Sequence, residues 1–479
     1  MAAEDSLGSS DGLRATWVNE GIVRRVLRSL GRVSVVAIVA YSLAGAADLR
    51  AETLSSALAN AYMNNPDLNA QRAAQRARDE EVPKALSGFR PKVSAQGSLG
   101  SIETRARPGG RVTRDPGSIG LTITQPVYSG MRNVNATKAA EAGVLGGRLA
   151  LDNAEQNTLL SAVEAYMNVV RDNAIVRLRK QNVDVLTEQL RATRDRFDVG
   201  ELTRTDVAQG EARAAGARSA VNAAAAQLLA SRAVYKQIVG RDPTDLSAAS
   251  PRGGLPRSLS EALSIGLKQH PAIQAAEYLE ESAAYSVKVA EGALLPTLSI
   301  QASAEHSHQP SSTVHQADTV SILGVLTIPI YQGGGEYANV RQAKHERSQA
   351  ALEIDVARQS VEAAILAAWG GLEAATAQLN SADAQIRAAD IALSGVREEA
   401  SVGQRTTLDV LNAQQELLDA RVSRIVAQRD QVVASYALTS AIGRLSAQQL
   451  SLAVQVYEPE VNYEKVRDRW FGLRTPDGQ

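Results

Sequence analysis

The chain contains no cysteine, which removes disulfides, thiol catalysis and cysteine-ligated zinc together, and with them the acylated cysteine that anchors a bacterial lipoprotein. Aromatic residues are scarce, 4% against 44% hydrophobic, so the apolar content is mostly small and aliphatic, which suits close helix packing better than large globular cores. Neither sign of charge is in excess: 51 basic and 52 acidic residues leave a formal net charge of -1. No long-range field draws in a polyanion, and no nucleic-acid partner is expected. HExxH, a Walker loop and a recognisable triad spacing are also missing, so neither an enzyme nor a cofactor is expected.

Long apolar runs are confined to the N-terminus. Arg24, Arg25, Arg28 and Arg32 precede an apolar stretch from Val33 to Leu43 and the small triplet Ala44-Gly45-Ala46, the layout of an export signal spanning 1–46 with cleavage after Ala46. The alternative, a membrane anchor, needs roughly 20 apolar residues. The stretch before Arg24 is longer than a signal requires, as a start codon placed too far upstream would produce. Beyond it no run can cross a bilayer as a helix, so a membrane-embedded mature protein must use a β-barrel.

A length of 479 residues would ordinarily mean two or three globular domains of roughly 150 residues each. An internal repeat gives a different division. Leu54-Ser55-Ser56-Ala57-Leu58 aligns with Leu259-Ser260-Glu261-Ala262-Leu263 at an offset of 205 (259 − 54), as do Asn65-Pro66 with His270-Pro271 and Pro91 with Pro296. Gln125-Pro126-Val127-Tyr128-Ser129-Gly130 then aligns with Ile328-Pro329-Ile330-Tyr331-Gln332-Gly333 at 203 (329 − 126). That register pairs Tyr166 with Trp369, Val199-Gly200 with Val402-Gly403, Asp206 with Asp409 and Gly240 with Gly443. The pattern predicts a tandem duplication, 52–247 and 258–445, with a Pro-, Gly- and Ser-rich linker near Asp242 to Arg257 and a tail over 446–479.

Each copy reads as a helix, two strands, a long helix, a tight turn and another helix. Val93, Ala95, Gly97 and Leu99 alternate with Ser94, Gln96 and Ser98; Ile119, Leu121 and Ile123 alternate with Thr122 and Thr124. The same period of two recurs over Leu298 to Ser303 and over Ile322, Gly324, Leu326 and Ile328. Strands are predicted at about 92–101 and 118–126, and again at 297–305 and 319–329, each near the length that crosses a bilayer when tilted. Leu160, Val163, Met167, Val170 and Ala174 mark a coiled-coil seam. Long helices are expected over 130–197 and 333–399, tips over 198–204 and 400–405, and return helices over 205–239 and 406–442. A helix of that length, about 100 Å at 1.5 Å per residue, cannot lie within a compact globule.

These features together resemble the TolC-type outer-membrane factors of drug efflux and type I secretion. The resemblance rests on the duplicated unit, the Asn65-Pro66 and His270-Pro271 starts, and the Gln125-to-Gly130 strand exit. It rests also on the turns Arg196-Phe197-Asp198-Val199-Gly200 and Ser401-Val402-Gly403-Gln404-Arg405-Thr406. The tail from Val456-Tyr457-Glu458-Pro459 to Arg469-Trp470-Phe471-Gly472 looks like the secretion branch. The resemblance implies a mainly α protein with a membrane β-barrel portion, a homotrimer closing a twelve-stranded barrel in outer-membrane lipid above an α-helical periplasmic tunnel. Its partners would be a periplasmic adaptor and an inner-membrane transporter, ABC or proton-driven. The function implied is a passive exit duct; the alternative is a periplasmic adaptor with helical hairpins, and a soluble coiled coil would leave the strands and export signal unexplained.

The tips carry the candidate site. Gly200 and Gly403 suit the left-handed position that ends a helix, and Thr203-x-x-Asp206 and Thr406-x-x-Asp409 are capping boxes for the next. They could serve turn geometry alone. The resemblance adds Val199, Gly200, Glu201, Leu202, Thr203, Val402, Gly403, Gln404 and Thr406 as adaptor-binding residues. It implies closing links from Thr205, Asp206 and Arg405, and a ring of Asp409 carboxylates at the constriction. Ala400 stands where the family's pattern has tyrosine and Asn412 where it has a second aspartate, so one link should be absent and one ring neutral. His306, His308 and His315 are expected in a loop between the last two strands, where a solvated polar loop is the simpler reading than a metal site. Gly333-Gly334-Gly335 lacks the Lys-Ser or Lys-Thr of a phosphate loop and reads as a strand-to-helix bend, and Tyr166 and Trp369 read as packing residues.

Overall fold

The computed structural model describes residues 52–478; the expected export signal lies outside the described residues. The first copy opens with helices α1 (Leu54–Asn64), α2 (Pro66–Asp79) and α3 (Glu81–Leu86). Asn65 stops α1 and caps α2, its Oδ1 accepting the Leu68 N–H at 3.0 Å while Pro66 takes the first helical position, where its missing N–H costs nothing. Strands β1 (Lys92–Leu99), β2 (Ile102–Ala106), β3 (Gly110–Arg114) and β4 (Gly117–Tyr128) follow, then the long helix α4 (Arg132–Asp198) and its return α5 (Arg204–Val239). The second copy runs α6 (Leu259–Gln269), α7 (Pro271–Gly292), β5 (Thr297–His308), β6 (Gln316–Thr327), α8 (Gly335–Ser401) and α9 (Thr407–Ala441). A short α10 (Pro459–Val466) lies in the tail. Helices α4 and α8 are each 67 residues, and their first residues are 203 apart (335 − 132).

Strands β1, β4, β5 and β6 form one antiparallel sheet in the order β1-β4-β5-β6. Its register sorts the two faces. Val93, Ile123, Ala302 and Ile322 lie in one row across the sheet, and Ser94, Thr122, Ser303 and Ser321 in the next. Because neighbouring rows point to opposite sides, one face is apolar and exposed at Val93, Ile119, Leu121, Ile300, Val320 and Ile322. The other carries hydroxyls, with the Ser303 and Ser321 side chains 2.8 Å apart. The 12-residue strands β4, β5 and β6 are about 37 Å long, enough to cross roughly 28 Å of membrane at a tilt of about 40°.

The structure differs from the sequence reading in several places: the single helix expected to open each copy is divided at Asn65 and at His270, and the strand ends shift by up to three residues. Residues 102–114, expected as loop, form the hairpin β2–β3, paired from Ile102↔Arg114 to Ala106↔Gly110. His306 and His308 belong to strand β5 rather than to the loop after it, and the His306 Nδ1 lies 2.6 Å from Asp318 across the ladder. Among the described residues no cluster of potential metal ligands is present.

The strand-to-helix exits depend on glycine. Gly130 has φ +63°, and a Cβ added there would collide with the Gly292 carbonyl at the end of α7. The middle of the long helices is wrapped by the segments around α1, α10 and the inter-copy linker, where Leu58, Tyr62, Leu159, Val163, Tyr166, Tyr235 and Leu445 form the largest core cluster. Glu52 is buried at its centre. Its Oε1 accepts from the Tyr235 hydroxyl at 2.7 Å and from Arg241 at 2.6 Å, while its carbonyl accepts from the Tyr166 hydroxyl at 2.8 Å. Paired so, a buried carboxylate is tolerated.

The tail is fastened similarly. Asp79, fully buried on α2, accepts from Asn462 of α10 at 2.7 Å and from Gln75 at 3.1 Å, and Arg148 pairs with Glu460 at 3.0 Å. Burial raises the Asp79 pKa, outweighing the lowering by Asn462, Gln75 and Arg148. A carboxyl with a raised folded-state pKa stabilises the fold below its unfolded pKa and loses that contribution as pH rises through the folded value. Acidification from pH 7 toward pH 5 should therefore raise the thermal midpoint of the tail docking. Asn462→Ala should lower stability by about 1–3 kcal/mol, since a buried acceptor loses its donor, and steepen the pH dependence; calorimetry at both pH values measures each effect.

Candidate functional site

The far ends of the two helical hairpins are built alike. At the first tip the Gly200 N–H donates to the Phe197 carbonyl at 2.9 Å and the Glu201 N–H to Arg196 at 2.9 Å. At the second, Gly403 donates to Ala400 at 3.2 Å and Gln404 to Glu399 at 2.9 Å. This paired pattern requires a left-handed residue after the helix, and Gly200 and Gly403 supply φ of +83° and +78°. Nothing stands within 4 Å of either missing Cβ, so backbone conformation, and not space, demands glycine.

Both capping boxes form. The Thr203 N–H and hydroxyl donate to Asp206 Oδ2 at 3.0 and 2.7 Å, and the Asp206 N–H returns a bond to the Thr203 hydroxyl at 3.3 Å. Thr406 and Asp409 repeat this at 3.0, 2.8 and 3.2 Å. In both boxes the cap bonds use Oδ2, so Oδ1 takes no part in capping. The Asp206 pKa is lowered chiefly by the Thr203 side chain and then its backbone, and that of Asp409 by the Thr406 backbone and then its side chain. Each carboxylate is thus ionised through the neutral range.

A cleft of about 500 Å³ separates the tips, lined in part by Arg196, Glu201, Asp206, Arg397, Arg405 and Thr406. Asp206 and Arg405 line the same cleft without a direct bond. Arg405 instead pairs with Glu399 at 2.7 Å and Arg196 with Glu201 at 2.9 Å, each within its own hairpin; Glu399 also makes the Arg405 guanidinium harder to deprotonate. Thr205 is exposed on the first turn of α5, and Ala400 packs against the small cluster of Ala389, Leu393, Val410 and Leu417. Val199 and Val402 are exposed apolar residues at the two apices, with Gln404 exposed and Leu202 half-buried.

One contact near the tips escaped the sequence reading. Arg213 on α5 donates to the Asn412 Oδ1 on α9 at 2.7 Å, tying the first hairpin to the second. Arg213 sits at an ordinary helix position, and only the relative rotation of the two coils brings it to Asn412. Farther up, Tyr166 is a core residue as expected, and Trp369 is half-buried with its indole N–H on Glu373 at 2.9 Å.

The family pattern described as outer membrane efflux protein matches residues 57–241 and 262–444, once in each copy. The outer membrane efflux protein BepC of Brucella suis biovar 1 (strain 1330) is 45% identical over 429 residues, covering 89% of this chain and 93% of its own. The outer membrane protein TolC of Escherichia coli (strain K12) is 25% identical over 443 residues, covering 86% and 87%. Among solved structures, the CmeC outer membrane channel of Campylobacter jejuni matches with a TM-score of 0.75 at 19% identity, over 86% of this chain and 89% of its own; at that identity the likeness is one of fold. None of these likenesses supports a periplasmic adaptor.

The Arg213–Asn412 contact can be tested by distance measurement. Spin labels at positions 199 and 402 of one subunit should report a narrow separation, broadened by Arg213→Ala. An unchanged distribution would mean that the bond does not hold the hairpins together.

Proposed function

The chain belongs to the outer membrane efflux protein family, and from that premise we propose that it acts as a homotrimer with its gate at the hairpin tips. As an outer-membrane channel reaching into the periplasm, it is the exit duct of an efflux or type I secretion route. The observation that carries the trimer is the sheet: four strands, apolar on one face and polar on the other, with β1 and β6 each open along one edge. In hydrocarbon every unmet backbone group costs several kcal/mol, and three copies of the sheet give twelve strands, within the range of outer-membrane barrels. The long helices continue below it as the tunnel wall, with no catalytic task. Energy comes from an inner-membrane transporter, ABC or proton-driven, coupled through a periplasmic adaptor.

At the tips, three copies of Asp409 bring three carboxylates to the constriction, with Asn412 forming a neutral ring beside them. The cap bonds favour the charged state of Asp409 and so oppose the mutual repulsion of three clustered carboxylates. Thr205, Asp206 and Arg405 belong to the closing contacts between neighbouring coils. The apices, Val199 to Thr203 with Val402, Gly403, Gln404 and Thr406, are the surface an adaptor meets.

In mild detergent the mature protein should migrate as an oligomer that collapses to monomer on boiling; a detergent-free soluble monomer would end the proposal. In single-channel recording, divalent cations should block from the tip side near neutral pH, where the three carboxylates attract a dication. Asp409→Ala should relieve that block, and block that persists unchanged would remove Asp409 from the gate. A photocrosslinker at Glu201 or Gln404 should capture an adaptor in cells.

A further inference from the structure

Tryptophan and phenylalanine occur only three times each in 479 residues, yet Phe89, Trp470 and Phe471 gather at one end of the sheet. Arg90, two residues before β1, donates to the Arg469 carbonyl at 2.7 Å, and its guanidinium lies 4.8 Å from the Trp470 ring centre. Arg469 in turn donates to the Arg474 carbonyl at 2.6 Å, closing a small loop through Gly472. The loop holds its apolar side chains outward: Trp470 is 63% exposed, Phe471 89% and Leu473 103%. No other part of the described chain covers them, so hydrogen bonds here fix large apolar groups in a position that water disfavours.

Their level in the molecule identifies what covers them. Val93 is the first exposed apolar residue of β1, and Arg90 precedes it by three residues, about 10 Å of extended chain. Tyr128 ends β4, and exposed Ile330 and Tyr331 follow β6 at the same end. Trp470 and Phe471, joined to Arg90, thus lie at the level of this end of the sheet, the zone where membrane proteins concentrate aromatic side chains. Arg90, Arg469 and Arg474 suit the phosphates there, their stems lying along apolar surface with the charge in the headgroups.

We propose that the loop 469–474 is a second membrane attachment, seating Trp470, Phe471 and Leu473 at the headgroup–acyl boundary of the phospholipid leaflet that faces the periplasm. This rests on the barrel lying in the outer membrane, and it makes the tail a lipid-binding segment continuous with the barrel's own belt. Trp17 falls within the expected export signal, so the mature chain retains Trp369 and Trp470. Trp369 lies 34 residues into α8 (369 − 335), about 50 Å along the helix at 1.5 Å per residue, beyond the reach of lipid.

The test is tryptophan fluorescence of the full mature protein in phosphatidylglycerol–phosphatidylethanolamine vesicles brominated near the top of the acyl chains. In Trp369→Phe, the brominated lipid should abolish most of the emission while aqueous iodide leaves it nearly unchanged. If that variant does not fold, the difference between wild type and Trp470→Phe gives the same reading. Quenching by iodide but not by brominated lipid would place the loop in water. Quenching by neither would place it against a second copy of the chain. Either result overturns the proposal. Flotation with the vesicles reports barrel insertion independently: a floating, unquenched protein refutes the loop alone, and one that does not float refutes the barrel as well.

Discussion

The sheet's two unpaired edges constrain the rest of the structure. A backbone N–H or C=O facing hydrocarbon has no water to bond, so strands β1 and β6 can stand in lipid only when another strand lies beside each. The polar row through Ser94, Thr122, Ser303 and Ser321 needs a wet interior for the same reason. A closed barrel with a polar lumen meets both demands, and the described residues of one chain place four strands in this sheet. In the proposed trimer, association and membrane insertion are thus two aspects of one hydrogen-bonding requirement.

The two copies share a plan but not a setting. Helix α4 buries residues along most of its length, and Tyr166 reaches across to the Glu52 and Ser247 carbonyls. Its counterpart α8 buries fewer and leaves Leu352, Val356 and Ile391 exposed. The terminal segments pack mainly on the first copy at mid-height, while the second has a smaller core of its own around Ile365 and Leu438. In the proposed trimer those exposed residues face a neighbour.

Much of this was legible in the sequence because the signals were local or periodic. A capping box is four residues long, a left-handed glycine acts within one turn, and the repeat offset of 203 needs only counting. The extra hairpin β2–β3 was missed because Pro108-Gly109-Gly110 reads as loop, and its short strands lack a run of alternating apolar residues. His306 and His308 were placed outside β5 because polar residues end the alternation before the backbone pairing ends. Glu52, Arg241 and Tyr235 could not be connected at all: an ion pair from a buried carboxylate to an arginine 189 positions away (241 − 52) leaves no periodic trace. The same holds at the candidate site, where the caps were readable and the Arg213–Asn412 contact, set by the rotation of two coils, was not.

Two helices of equal length, hung from β4 and β6 of one sheet and ending in the same turn, also restrict how such a chain can change in evolution. Removing seven residues from α4 alone would lift its apex about 10 Å above its twin, and a collar that grips both apices could no longer sit level. An insertion or deletion in one copy is therefore tolerated only with a matching change in the other. The length of the conduit, and with it the width of periplasm it can bridge, is inherited as a paired trait.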